Sequence, residues 1–165
     1  MIGPETRLPS AKAVRDLLIG ICGREVSLIV DGEELRADTP GGVIAAEYVT
    51  DLGQSTALIA VDTALGAHLG AALGLVPPAV SEEAARDAYL SDDLVDNLYE
   101  VLNIAGSLFN VGDAPHVSLI EGLYDTGSAA LPVAIESWLS GFVPRLDAAC
   151  EVHGYGTGRL SVLVR

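Results

Sequence analysis

Lysine is almost missing from this chain. Lys12 stands beside eight arginines and faces 23 aspartates and glutamates, for a net charge of −14. Such a surface repels phosphate backbones and anionic lipid headgroups, so neither nucleic acid nor a membrane surface is expected as a partner. Cysteine is scarce too. Cys22 and Cys150 are each set among apolar residues, which suits buried structural thiols and excludes a disulfide framework. Only two Phe, one Trp and five Tyr occur in 165 residues, so the core has to be aliphatic. A long apolar run is lacking as well: Asp62, His68 and Pro77-Pro78 interrupt Thr56–Val80 before it reaches the roughly 18 residues a bilayer span needs. Met1–Ser10 has neither the basic start nor the apolar stretch of a secretory leader. Together these absences lead us to expect a cytoplasmic protein in a reducing compartment.

The usual catalytic signatures are missing too. No Gly-x-Ser-x-Gly elbow is present. His68, His116 and His153 lie far apart without His-x3-His or Cys-x2-Cys spacing, which argues against a structural zinc. Gly154-Tyr155-Gly156-Thr157-Gly158 has no Lys-Ser or Lys-Thr pair and no following helix, so it reads as a hairpin turn and not as a phosphate loop.

What is present is the pattern of one globular domain over residues 1–165, half hydrophobic and without a charge block or low-complexity divider. Val14, Leu17, Leu18 and Ile21 are spaced for a helix over Lys12–Ile21, with Gly23 to stop it. Val26–Val30 and Glu33–Arg36 flank Asp31-Gly32, a hairpin signal. Val43–Thr50 and Thr56–Val61 read as a second strand pair. Asp62 or Thr63 then caps a helix to about Leu73, in which Gly66, Gly70 and Gly74 recur every four residues. In a soluble domain that spacing marks a face where another backbone lies close. After Pro77-Pro78, Ser81 opens a short acidic helix, Glu82 to about Tyr89. Ser91 caps a longer one reaching about Asn110. His116–Leu123 reads as a strand, Leu131–Leu139 as a helix, and Leu146–His153 with Leu160–Val164 as a closing hairpin. Strands arriving as hairpins with helices grouped between them favour an α+β fold, a mostly antiparallel sheet with long helices on one face.

The helix after Ser91 is the unusual segment. Leu94, Val95, Leu98, Val101, Leu102, Ala105, Leu108 and Phe109 form a broad apolar stripe. The opposite face carries Asp93, Asp96, Glu100, Asn103, Ser107 and Asn110. Asp96 and Glu100 are like charges at i,i+4, and no lysine or arginine occurs from Asp87 to Pro144 to relieve them. A solvated face is one reading of this ridge, and a surface for a cationic partner is the other.

The segment from Asp96 to Gly106, reading Asp-x3-Glu100-x2-Asn103, resembles the signature helix of the CheC/CheX/FliY phosphatases of bacterial chemotaxis. Those proteins present a Glu-x-x-Asn pair, often with Asp or Ser four residues before the Glu. The likeness runs from about Val43 to Val164, leaving residues 1–42 as an N-terminal helix and hairpin. The CheC branch usually carries the motif twice. Here Arg15-Asp16-Leu17-Leu18-Ile19 has no Glu-x-x-Asn, so the single-site CheX branch is the better likeness. Thr126 stands where that family has a proline, and Gly127–Gly141 reads as helix where the family runs mainly as strand.

The resemblance implies a CheX-like fold and a hydrolase of two-component signalling. Its substrate would be the aspartyl phosphate of a phosphorylated CheY-like receiver. Asn103 would orient the attacking water, and Glu100 would dock on the lysine of the receiver's active site. Asp96, Ser107 and Asn110 would be outer partner-binding residues. No cofactor or metal is expected from this chain; the Mg²⁺ is expected in the receiver. A non-catalytic module of the same fold, its acidic helix binding a basic partner protein, is the alternative. The alternating apolar segment Leu160–Arg165, placed at a sheet edge, would pair two copies into a homodimer.

Overall fold

The computed structural model describes residues 4–165. Ser10 caps the first helix, α1 (Ala11–Cys22), through its side chain on the Ala13 N–H, and Gly23 ends it in a left-handed conformation. Strand β1 (Val26–Val30) follows at the sheet edge. The expected return strand Glu33–Arg36 does not form. Leu35 is the only apolar residue there and leaves the sheet plane to bury on the back face, its N–H on Ser161 Oγ. Asp31 and Gly32 give their N–H groups to Asp147 O, so β1 takes its partner from the distant strand β6 (Arg145–Val152).

Strands β2 (Val43–Thr50) and β3 (Ser55–Asp62) form the expected antiparallel pair around a turn in which Gly53 has positive φ. Both are apolar at nearly every position because both faces of the sheet are covered. Ile44, Ala46, Tyr48, Ala57, Ile59 and Val61 enter the front core beneath the long helices. Val43, Ala45, Leu58 and Ala60 enter a smaller back core.

Asp62 caps α2 (Thr63–Leu73). Helix α3 (Pro78–Asp87) begins four residues earlier than its sequence suggests. Proline is well suited to a first helical turn, and Ser81 lies inside the helix, buried, donating to Pro78 O. Helix α4 (Asp92–Ala105) opens on its Ser91 cap. It stops short of Asn110, tightening at Gly106–Leu108 into a 3₁₀ turn where Gly106 lies against the Tyr48 ring. Of the strand expected over His116–Leu123 only β4 (Val117–Leu119) forms; after a turn with Gly122 at positive φ comes a further short strand, β5 (Tyr124–Asp125), and both pair with β2. Helix α5 (Val133–Ser140) packs Ile135, Trp138 and Leu139 into the back core, the one helix to do so among the described residues.

Strand β7 (Gly156–Val164) closes the hairpin with β6. The sheet order is β1-β6-β7-β3-β2-β4, all antiparallel, with β5 beside β2. The architecture is therefore α+β with the long helices on one face, as the element pattern indicates. The edge position expected for Leu160–Arg165 is overturned. β7 lies between β6 and β3, so its hydrogen-bonding groups are already paired and it offers no seam for a second copy. The open edges are β1 and the short β4 and β5. Cys22 and Cys150 are buried and free, as expected, and burial pushes their thiols up to about 11 and about 12. Among the described residues no helix is long and apolar enough to cross a membrane.

Candidate functional site

The position of α4 is set by α2. A Cβ on Gly70 would lie 2.7 Å from Leu94 O, and one on Gly66 would lie 3.0 Å from Leu98 Cδ2. The glycine stripe is thus the face where a second backbone lies close. Asn97 ties the two helices by donating from Nδ2 to Gly70 O at 3.1 Å. On the sheet side, Tyr48 Oη donates to Leu102 O at 2.6 Å, and the Tyr48 and Phe109 rings pack with centroids 5.1 Å apart. Leu94, Leu98, Val101, Leu102 and Ala105 are buried. The helix is therefore anchored along its whole inner face, and its outer face cannot roll inward.

That outer face presents Asp96, Glu100, Asn103 and Ser107, all exposed. Glu100 and Asn103 are three residues apart on the helix and so lie side by side, one turn apart. The side-chain hydrogen bonds of α4 belong to Asn97 and Tyr99, with Ser91 at its cap. Among the described residues Glu100 and Asn103 have no hydrogen-bond or ion-pair partner. Arg7 pairs with Asp113, Lys12 and Arg15 with Asp16, Arg36 with Glu34, and Arg159 with Asp31 and Glu33, none of them with a residue of this ridge. Among the described residues no three His, Cys, Asp or Glu side chains group as metal ligands.

Asn110 is placed differently from the other four. Its carboxamide accepts from Val117 N at 2.8 Å and donates to Val117 O at 2.9 Å, clamping β4 against the end of α4. Sequence spacing puts it on the ridge, but the 3₁₀ turn at Gly106–Leu108 and this double bond give its side chain a structural duty.

Three neighbours of the site escape a reading of the sequence alone. Tyr99 donates to Ile120 O and holds the β4–β5 turn beside the helix. Thr126, at the position of the family's proline, accepts from Val43 N at 2.9 Å through a hydroxyl that lies 3.4 Å from Val43 O, fastening the start of β2. A proline has no side-chain group for this. The third is a cleft of about 350 Å³ beside the N-terminal half of α4, lined by Tyr89, Asp92, Val95, Leu123 and Asp125 among others. Asn97 is the one with a sequence signal, a polar residue at the border of the apolar stripe opposite three periodic glycines.

No family model matches the chain, and no curated protein sequence is similar to it. Solved structures are. A chain of the FliM–SpeE complex from H. pylori superposes with a TM-score of 0.59 at 10% identity, covering 93% of this chain and 80% of that one. FliY from Thermotoga maritima superposes at 0.55 and 13% identity, covering 91% and 81%. A chain of the CheX–CheY–BeF3–Mg²⁺ complex from Borrelia burgdorferi superposes at 0.53 and 13%, covering 93% and 94%. At such identities the likeness is one of architecture, and the conclusion is structural: this chain has the fold found in the FliM, FliY and CheX structures.

Proposed function

We propose that the chain is a CheX-like phosphatase that hydrolyses the aspartyl phosphate of a CheY-like receiver. The observation that carries this reading is the pair Glu100 and Asn103, exposed and without a partner among the described residues, on a helix whose inner face is anchored throughout. Support comes also from the fold shared with structures of FliY and of a CheX–CheY complex.

The chemistry asks little of this chain. An acyl phosphate is already activated, and the receiver is expected to carry the Mg²⁺ that neutralises its charge. Asn103 inserts its carboxamide beside the phosphoryl group and holds a water in line with phosphorus. An amide can donate to and accept from that water, and being neutral it does not repel the phosphoryl oxygens as a carboxylate would. Water oxygen bonds to phosphorus as the bond to the aspartyl oxygen breaks, releasing inorganic phosphate and the free carboxylate. The role parallels the water-orienting glutamine of GTPases. Glu100, one turn away, pairs with the receiver's active-site lysine. At a desolvated interface such a pair fixes register more than it adds affinity. Asp96 and Ser107 extend the docking edge.

The test is the decay of a phosphorylated receiver from the same genome. Asn103→Ala is expected to lower stimulated dephosphorylation by about 100-fold or more. Its complex with the beryllofluoride-activated receiver should persist. An Asn103→Ala variant as active as the parent would end this mechanism. The acids of α4 make no ion pair among the described residues, which favours a second reading, a docking module without turnover. In that case a salt-sensitive complex forms and the receiver's decay is unchanged.

A further inference from the structure

The cleft beside the first two turns of α4 is not used by the mechanism above. We propose that it receives a lysine or arginine side chain of the partner protein, a second docking point that selects which receiver is bound; this rests on the receiver reading of the preceding section. The cleft is about 350 Å³. Its apolar lining includes Ile44, which is buried, and Val95 and Leu123, which are half-buried. Its polar lining includes Asp92 and Asp125, and Tyr89 stands beside them 69% exposed.

These surfaces match the two parts of a long basic side chain. An alkyl stem lies along Ile44, Val95 and Leu123, and the cationic head meets the carboxylates and the face of an exposed tyrosine. An anion is repelled, and a purely apolar group leaves two carboxylates desolvated without a counter-charge. Among the described residues no cation pairs with the two carboxylates of the cleft. Arg86 is the single lysine or arginine between Ala37 and Pro144. Asp125 Oδ1 accepts from Gly127 N at 2.7 Å, which fixes the carboxylate while its other oxygen meets no donor among the described residues.

The occupant is assigned to the same partner because of where the cleft lies. Val95 is eight residues before Asn103, about 12 Å along the helix axis. A standard protein interface covers about 800 Å² on each partner, so one footprint takes in both places.

Three measurements decide it. The double variant Asp92→Asn with Asp125→Asn, which keeps an acceptor for Gly127, is expected to weaken binding of the activated receiver about tenfold. Tyr89→Ala should weaken it less, and for both the decay rate at saturating receiver should stay at the parent value. Asn103→Ala behaves in the opposite way, so the two places separate in one assay. Unchanged affinity in the double variant overturns the proposal. Independently of any receiver, NMR titration with 1,6-diaminohexane should shift the methyl groups of Val95 and Leu123, whereas 1,6-hexanediol should not. The double variant should abolish that shift. A shift spread over every acidic side chain overturns the cleft while leaving the phosphatase intact. Diamine binding in the cleft with receiver affinity indifferent to the double variant makes it a small-molecule site and overturns the partner assignment. If no receiver binds at all while the diamine still fills the cleft, the failure lies with the phosphatase reading, and the cation chemistry of the cleft stands.

Discussion

Two groups of carboxylates in this molecule serve opposite ends. At the back of the sheet Asp147, 5% exposed, forms a two-armed pair with Arg145, both bonds 2.9 Å, and accepts from Ser161 Oγ. Arg145 also donates to Leu139 O, and the neighbouring Arg159 holds Asp31 and Glu33. Every charge there has its counterpart within the chain, and together these bonds fasten the Asp31–Gly42 crossover and the end of α5 to β6 and β7. On α4 the same residue types stand in a row with no counterpart among the described residues. The lesson is that acidity alone says nothing about role. Whether the chain supplies the opposing cation separates a structural carboxylate from one left for a visitor.

The sharpest way to break this contrast is Asp147→Ala. It leaves Arg145 nearly buried and short of its partner, and should cost about 3–5 kcal/mol in urea unfolding. Replacing the pair by Arg145→Met with Asp147→Leu should recover most of that loss, because the unpaired charge is the penalty and not the missing bond. A double variant as unstable as the single one would show that the cluster acts by more than pairing.

The helix that carries the ridge can be tested separately. Gly70→Ala puts a methyl 2.7 Å from Leu94 O and forces α4 away from α2. A loss of about 1–3 kcal/mol is expected in thermal unfolding, with receiver turnover falling alongside. Full activity would mean that the height of the ridge is not critical.

The smallest effect belongs to the ridge itself. Asp96→Asn removes a like charge one turn from Glu100 and should raise stability by roughly 0.2–0.5 kcal/mol at low salt, the gain fading as salt is added. A loss as large as that of Asp147→Ala would place a structural partner at Asp96 and erase the distinction.

How much of this was readable beforehand depends on the range of the deciding contacts. Ser10, Asp62 and Ser91 act within three residues of themselves, and the helices they cap begin within one residue of where the sequence indicates. Asp31-Gly32 carries an equally local signal, yet it is overruled by Asp147 and Arg159 from more than a hundred residues away. Ser81 looks like a cap because Pro77-Pro78 looks like a break, while Pro78 itself starts the helix. Thr126 and Asn110 show nothing locally of the backbones they clamp. All six ridge residues lie exposed as their helical spacing requires, Asn110 alone turning its carboxamide onto Val117, but no periodicity announces the cleft, which draws its walls from β2, α4 and the loops around α3 and β5.

The chain alone determined its class, the burial of α4 on one side, and the outward presentation of Glu100 and Asn103, because a helical period and a cap are properties of neighbours in sequence. The placing of β7 in the middle of the sheet, the crossing of Leu35 to the back core, and the placing of Asp92 and Asp125 around one cleft were decided by the tertiary fold. Each depends on which distant strand or loop satisfies a backbone donor or covers an apolar face, and that choice is made only when the whole sheet is assembled.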